Sequence, residues 1–241
     1  GGDTLCTGHA RIDNPYSGPA VPLRFRYQTF EFGDEDIHLR SLRDKLQYSD
    51  PEGAAERLGI SSANWALFGV VWPSSQVLAK LMVDYEIDGK RILELGCGMA
   101  LSSLLLNRRG GNITATDYHP EVAAFLHANT RLNADDEIPY FRADWENPES
   151  THGRFDLIIG SDVLYDRSKL EPLARFIQGH ATDSCEVVVV DPGRKQQGAF
   201  SQRMAHYGFS HHKEAPLDTS YLSKLFTGSI LTYSREAMAP N

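Results

Sequence analysis

The sequence lacks a long apolar run and an excess of basic residues. It has 24 lysines and arginines against 32 aspartates and glutamates, a net charge of -8 over 241 residues. No stretch approaches the roughly 18 apolar residues of a membrane-spanning helix. The acidic balance argues against a protein whose main task is to hold nucleic acid phosphates. We therefore predict neither a membrane span nor a nucleic acid partner.

Paired cysteines and clustered histidines are also absent. Cys6, Cys97 and Cys185 are widely spaced and form no CxxC pair, which argues against a disulfide framework and a zinc site. The nine histidines show no ligand spacing; His119 and His127, for example, lie too far apart for an i, i+4 pair. We predict no bound metal and expect the histidines to lie at the surface or cap helices. Residues 1–10 lack the basic start and apolar core of a signal peptide, so we expect a reducing cytoplasmic location.

Strands and helices are predicted to alternate from Arg91 onwards, at spacings of about 10 to 15 residues. Two of the predicted strands, around residues 157–159 and 187–190, are almost continuously apolar. Such strands are typical of a sheet that is buried on both faces. The pattern predicts an α/β fold with a parallel sheet between two layers of helices.

The N-terminal part follows a different pattern. Leu23, Phe25 and Tyr27 alternate with polar residues, and Gly33-Asp34 predicts a turn into a second strand, so we expect a β-hairpin. The other predictions are an irregular tail over 1–20, a charged helix over 40–58, an N-terminal extension (tail, hairpin and helix) over 1–60 and a main domain over 61–241.

The central motif is Glu94-Leu95-Gly96-Cys97-Gly98, an apolar strand followed by a turn with two glycines. A helical pattern begins at Leu101. Glycine permits positive φ and close approach of a ligand, and a helix start offers free N–H groups. A dinucleotide site would need a third glycine where Leu101 stands. S-adenosylmethionine has no phosphate and needs no such glycine, so the loop favours this cofactor.

Asp117 ends the strand that follows the glycine loop. A single carboxylate there could accept hydrogen bonds from both ribose hydroxyls of a nucleoside. The alternative is a helix cap before His119-Pro120-Glu121. Ligands of open α/β sheets bind at the carboxyl ends of the strands, so Asp144 and residues 161–165 are expected at the same edge.

Residues 60–193 resemble a class I S-adenosylmethionine-dependent methyltransferase, and more closely the seven-strand family 16 group, which includes many protein-lysine methyltransferases. The matching motifs are Trp72-Pro73-Ser74-Ser75, Glu94-Leu95-Gly96-Cys97-Gly98, Thr116-Asp117, Asn129 with Asn133, Asp144-Trp145 and Asp162-Val163-Leu164-Tyr165. Asp191-Pro192-Gly193-Arg194 is similar to the branch that methylates the β subunit of electron transfer flavoprotein. Ala100 departs from the third glycine of many members. The resemblance implies a Rossmann-like, seven-stranded, mostly parallel sheet with helices on both faces, plus the N-terminal extension.

The resemblance also implies S-adenosylmethionine as cofactor and a role for each motif. Glu94 and the backbone of Gly96, Cys97 and Gly98 would flank the methionyl group, Asp117 would hold the ribose, Asp144 the adenine amine and Trp145 the ring; Trp72 would close the pocket, and Tyr118 and Ser161 complete the set. Three alternatives stay open. Asp144 is then a turn residue, Trp145 a core aromatic, and Cys97 a packing residue rather than a nucleophile.

Asp162 and Tyr165 are the predicted catalytic residues on the acceptor side. A lysine must lose a proton before it attacks, and Asp162 could orient its amine while Tyr165 lines the channel. The alternative is that Asp162 caps a turn and Tyr165 packs. The segment lacks the Asn-Pro-Pro-Tyr type sequence of resembling amide- and adenine-methylating enzymes. We predict methylation of a protein lysine; the alternatives are a small-molecule N- or O-methyltransferase and a non-catalytic cofactor-binding module.

Overall fold

The computed structural model describes residues 25–42, 67–148 and 152–237. The predicted tail and most of the predicted helix over 40–58 lie outside these ranges. Residues 40–42, which are inside them, form the end of a strand, so the helix prediction is wrong at its start. No helix in the described ranges is long and apolar enough to cross a membrane.

The chain forms nine strands and five α-helices within the described ranges. In chain order they are β1 (Phe25–Phe32), β2 (Glu35–Leu42), α1 (Pro73–Met82), β3 (Arg91–Leu95), α2 (Leu101–Arg108), β4 (Asn112–Asp117), α3 (Val122–Leu132), β5 (Tyr140–Arg142), β6 (Phe155–Ser161), α4 (Leu170–His180), β7 (Ala181–Asp191), α5 (Gln197–His206), β8 (Ser210–Glu214) and β9 (Ser229–Ser234).

Seven strands form the main sheet, in the order β5-β4-β3-β6-β7-β9-β8. The pairs among β3 to β7 are parallel, and β9 runs antiparallel between β7 and β8. The predicted seven-stranded, mostly parallel sheet is therefore confirmed. The strand order reverses between β3 and β6, which is where an open α/β sheet leaves a crevice at its carboxyl edge.

Helices cover both faces of this sheet. One core cluster joins α1, α2 and α3 to alternate strand residues such as Ile92 and Ile159, and the other joins α4 and α5 to the opposite residues, such as Leu93 and Ile158. Successive strand side chains point to opposite faces, so a strand buried on both sides must be apolar throughout. This explains the nearly continuous apolar runs.

The first two strands form the predicted hairpin, a separate antiparallel sheet with Gly33 in its turn at φ 61°. Its buried residues Phe32, Ile37, Leu39 and Leu42 belong to the same core cluster as α1, α2 and α3. The hairpin therefore packs on the helices of one face rather than extending the main sheet.

Candidate active site

The glycine loop connects β3 to α2 at the carboxyl edge of the sheet. Gly96 has φ 53° and Gly98 has φ 51°, both in the left-handed region that favours glycine. A Cβ at Gly96 would lie 3.3 Å from Val163 Cγ1, and one at Gly98 would lie 3.4 Å from the carbonyl oxygen of Phe68. Ala100 adopts φ 57°, so this loop position is left-handed as well.

Asp117 ties the glycine loop to the end of β4. Its Oδ2 accepts a hydrogen bond from Gly98 N at 2.9 Å, and its Oδ1 accepts one from His119 N at 3.0 Å. Cys97 N donates to Thr116 O at 2.9 Å beside it. Burial raises the pKa of Asp117, while the backbone hydrogen bonds act against this rise. The backbone of Tyr118 bonds the same carboxylate, so three of its roughly four acceptor sites are used and about one is left for a ligand hydroxyl.

Glu94 is a buried acid beneath the loop. Its Oε1 accepts hydrogen bonds from Ser103 N at 3.1 Å and from Ser103 Oγ at 2.6 Å, and Oε2 takes no part in this pair. Burial raises the pKa of Glu94 to about 7, and the charge of Asp117 adds to the rise. Because the two carboxyl groups repel one another, one buried and one partly buried, a ligand that carries positive charge would stabilise both.

Cys97 is buried between these two acids. Burial raises the pKa of its thiol well above the usual range, and the charges of Asp117 and Glu94 raise it further. A thiolate is therefore strongly disfavoured, which agrees with a packing residue whose backbone belongs to the loop.

The strand next to β4 brings the predicted adenine residues to the same edge. β5 ends at Arg142, and the next residue, Ala143, donates from N to Asp117 O at 2.9 Å. Asp144 therefore lies near the end of β4. Asp144 Oδ1 accepts from Glu146 N at 3.0 Å, as in a turn, and Trp145 packs against the second core cluster. Asp144 thus has the contacts of a turn residue and Trp145 those of a core aromatic, as in the alternative interpretation. Both nevertheless lie next to Asp117. Tyr118 lies beside them, with the Arg142 guanidinium 5.4 Å from its ring centre.

The segment before α1 covers the loop from the other side. Trp72 occupies the N-cap position of α1, and its side chain is 39% exposed. Pro73 begins the helix, as suits a residue whose fixed φ fits the first helical turn. Phe68, whose carbonyl faces Gly98, stacks on His119 with ring centres 4.0 Å apart.

His119 shows that the histidine prediction is only partly right. It is buried, and its Nδ1 accepts a hydrogen bond from Glu121 N at 3.1 Å near the start of α3. This bond lies in the turn before α3, whose N-cap residue is Glu121 and has no side-chain cap, so His119 neither caps the helix nor lies at the surface, and the prediction is wrong for this residue. His180 is buried too, and its Nδ1 is 2.8 Å from Phe176 O. Among the described residues, no group of three or more His, Cys, Asp or Glu could hold a metal ion.

The predicted acceptor residues follow β6. Ser161 ends the strand beside Val190 of β7, and Asp162 turns the chain at φ 50° while its N–H donates to Val190 O at 2.8 Å. Tyr165 is 57% exposed at the same edge. The carboxylate of Asp162 accepts two hydrogen bonds from the Arg194 guanidinium, from Nε at 2.6 Å and from Nη2 at 3.0 Å.

The structure thus gathers the predicted residues at the carboxyl ends of β3, β4, β5 and β6. Glu94, Gly98, Asp117 and Asp144 lie towards β5, and Ser161, Asp162 and Tyr165 lie towards β7. Sequence reasoning missed the roles of Ser103, Phe68 and Arg194. Arg194 had been noted only as part of a motif. Its position just after β7, the strand beside β6, could have predicted its contact with Asp162.

Comparison with known proteins identifies the family of this chain. A family model described as lysine methyltransferase matches residues 59–206. The chain is 29% identical over 176 residues to the electron transfer flavoprotein beta subunit lysine methyltransferase of Mus musculus, covering 71% of this chain and 66% of that protein. It is 29% identical over 167 residues to the protein N-lysine methyltransferase METTL21A of Danio rerio, covering 64% and 76%. The match spans 57 to 66% of the flavoprotein methyltransferases of mouse, rat and zebrafish.

Solved structures share the fold at low sequence identity. The 16S rRNA N2 G1207 methyltransferase of T. Thermophilus superimposes with a TM-score of 0.61 at 15% identity, covering 91% of this chain and 52% of that one. The ribosomal protein L11 methylase of Lactobacillus delbrueckii subsp. bulgaricus gives 0.55 at 18% identity, covering 68% and 78%. These similarities show a Rossmann-like methyltransferase fold.

Proposed function

Because this chain belongs to the lysine methyltransferase family, we propose that it transfers a methyl group from S-adenosylmethionine to a lysine side chain of a protein. The observation that carries the proposal is the acid pair, buried Glu94 and partly buried Asp117, around a loop with left-handed glycines. A ligand with positive charge and ribose hydroxyls fits these groups better than a phosphate does, because carboxylates repel an anion.

The cofactor residues have separate tasks in this proposal. Asp117 accepts a hydrogen bond from the ribose at the acceptor site that its backbone bonds leave free, and Glu94 faces the cationic methionyl end. Gly96 and Gly98 allow close approach because they lack side chains. Asp144, Trp145, Tyr118, Trp72 and Ser161 remain proposed cofactor contacts. When bound, S-adenosylmethionine supplies a methyl group that its sulfonium has already activated.

The acceptor residues then have to align an amine rather than activate an electrophile. Asp162 accepts a hydrogen bond from the lysine amine and orients its lone pair, and Tyr165 lines the approach with an aromatic ring. The proposed partner is a protein, and the electron transfer flavoprotein β subunit is the first acceptor to test, because three relatives carry that name. We also keep the predicted reducing cytoplasmic location, which the buried free thiols of Cys97 and Cys185 support.

Calorimetric titration with S-adenosylhomocysteine tests the division of roles. The wild type should bind at micromolar strength, and Asp117→Ala should weaken binding about tenfold or more, since the charge-assisted hydrogen bond to the ribose is lost. Asp162→Asn is the matched variant, and it should spare binding while lowering methyl transfer from labelled S-adenosylmethionine to the β subunit. Acceptor whose lysines have been acetylated should gain no label. Equal loss of binding in both variants would overturn the assignment, and binding of NAD in place of S-adenosylhomocysteine would overturn the function.

A further inference from the structure

Building on the proposed lysine methylation, we propose that Arg194 is a positioning residue that holds the carboxylate of Asp162 in the orientation needed by the acceptor amine. The two residues lie on different loops, after β7 and after β6. Each guanidinium bond reaches a different carboxylate oxygen, which fixes the plane of the carboxylate as well as its position.

Arg194 is itself held from the core. Asp191 ends β7 and is fully buried, and its Oδ2 accepts hydrogen bonds from Gly193 N at 3.0 Å and Arg194 N at 2.8 Å. Gln197 Nε2 donates to the same oxygen at 2.5 Å. The backbone of Arg194 is therefore anchored to the end of a central strand.

Asp162 is preset in the same way. A residue other than glycine at φ 50° carries a backbone cost, and such strain persists only where surrounding contacts hold it. One contact is the bond from Asp162 N to Val190 O at 2.8 Å, which joins the residue to β7. The ion pair with Arg194 is the second, so both ends of this residue are fixed by the same neighbouring strand and its loop.

The pairing leaves room for an acceptor. An ionised carboxylate has about four lone-pair sites, of which Arg194 uses two. The side chain of Asp162 is 23% exposed, so the remaining sites are accessible. Arg194 also offsets the negative charge of Asp162, which lowers the preference of the site for a protonated amine. This matters because only the neutral amine can attack a methyl group.

Other charges face the same region. The charges of Asp162 and Asp191 act on Arg194, and those of Asp117, Asp166 and Asp162 act on Tyr165. Arg194 is the cation that contacts Asp162 directly. Removing it should therefore leave a lysine in this site surrounded by carboxylates, which raises the pKa of the bound amine.

The test compares Arg194→Gln, Arg194→Lys and Lys195→Gln, the last a neighbouring exposed cation in the same loop. With the β subunit as acceptor, Arg194→Gln should lower kcat about 10-fold to 100-fold, because misplacing a positioned group is costly. The acid limb of its kcat–pH profile should move up by about one pH unit. Arg194→Lys should restore part of the rate, and Lys195→Gln should match the wild type. S-adenosylhomocysteine should bind all variants with unchanged affinity.

A double variant separates positioning from mere structural support. Because Arg194 acts through Asp162, Arg194→Gln should cost nothing more when added to Asp162→Asn. Additive losses, or an Arg194→Gln variant with the wild-type rate and pH profile, would overturn the inference. A wild type that binds S-adenosylhomocysteine but labels no lysine would instead contradict the proposed function, and that outcome is seen before any variant is compared.

Discussion

Glu94 combines complete burial with two hydrogen bonds on one oxygen. The bonds from Ser103 favour the ionised form, but burial outweighs them and raises the pKa from 4.5 to about 7. In the unfolded chain the carboxyl ionises above about pH 4.5, whereas the folded, ligand-free chain keeps the proton until about pH 7. The folded state therefore binds more protons in this window, and the contribution of Glu94 to stability falls as the pH rises through it.

Glu94→Gln should remove this loss, because glutamine keeps an acceptor oxygen for Ser103 and cannot ionise. Relative to the wild type, the variant should gain up to about 3 kcal/mol of unfolding free energy between pH 4.5 and pH 7. Urea denaturation of the ligand-free protein at several pH values in this range measures the difference. Two parallel stability–pH curves would show that Glu94 does not hold its proton in the folded state.

Two asparagines, Asn129 of α3 and its C-cap residue Asn133, connect this helix to the hairpin. Asn133 Oδ1 accepts from His38 N at 2.7 Å and its Nδ2 donates to His38 O at 2.6 Å. Asn129 pairs in the same way with Arg40, at 2.7 Å and 3.0 Å. Each side-chain amide thus completes the backbone hydrogen bonding of a β2 residue, as a neighbouring strand would. Asn129 and Asn133 are four residues apart and therefore lie on one face of the helix. Their partners, Arg40 and His38, are two residues apart in β2.

Asn133→Ala should therefore lower the unfolding free energy by about 1 to 2 kcal/mol, since it removes two hydrogen bonds to partly buried backbone groups of His38. Asn107→Ala on α2 is the matched control, because Asn107 makes a single exposed bond, from Nδ2 to Asp136 O at 2.8 Å. Denaturant titration of both variants provides the comparison. A loss for Asn133→Ala no greater than that of the control would contradict the strand-like role.

The sequence predicted elements well where burial alone decides them. The apolar run predicted around residues 157–159 lies within β6, and the helical pattern predicted from Leu101 matches the start of α2. β7 begins at Ala181, well before the apolar run predicted over residues 187–190, and its first half joins the sheet through an irregular register with β6. Periodicity cannot reveal that kind of pairing.

The contacts of the candidate site also differ in how far the sequence could predict them. The sequence could predict that Gly98 and Asp117 lie close together, because Gly98 follows one predicted strand and Asp117 ends the next. The contact between Asp162 and Arg194 depends on β6 and β7 being neighbours in register, which only the assembled sheet provides. Asn129 and Asn133 were recognised as a motif, but their partners lie in the hairpin, far earlier in the chain.

At the scale of the whole molecule, the hairpin shares its core with the main domain. Ile37 and Leu39 are fully buried in the cluster that holds α1, α2 and α3. Arg108 of α2 adds a polar connection, since its Nη1 donates to Glu35 Oε2 at 3.2 Å and its Nε to Asp135 Oδ2 at 3.0 Å. The predicted division at residue 60 therefore separates sequence segments that we expect to unfold together.

Leu39→Ala tests this expectation. Loss of a fully buried leucine should lower the global unfolding free energy by about 2 to 5 kcal/mol if the hairpin and the main sheet form one cooperative unit. Tyr27→Ala, on the exposed side of the same hairpin, should cost less than about 1 kcal/mol. Circular dichroism follows the secondary structure of the whole chain, whereas the described tryptophans, Trp72 and Trp145, lie outside the hairpin. If the hairpin and the main sheet unfold together, the two signals should give coincident transitions. A hairpin that unfolds first, leaving the main transition of Leu39→Ala unchanged, would instead support an independent extension. The asparagine contacts argue against that result. If the hairpin separated from the rest of the molecule, Asn129 and Asn133 would lose their hydrogen bonds to the backbone of β2 in the same step.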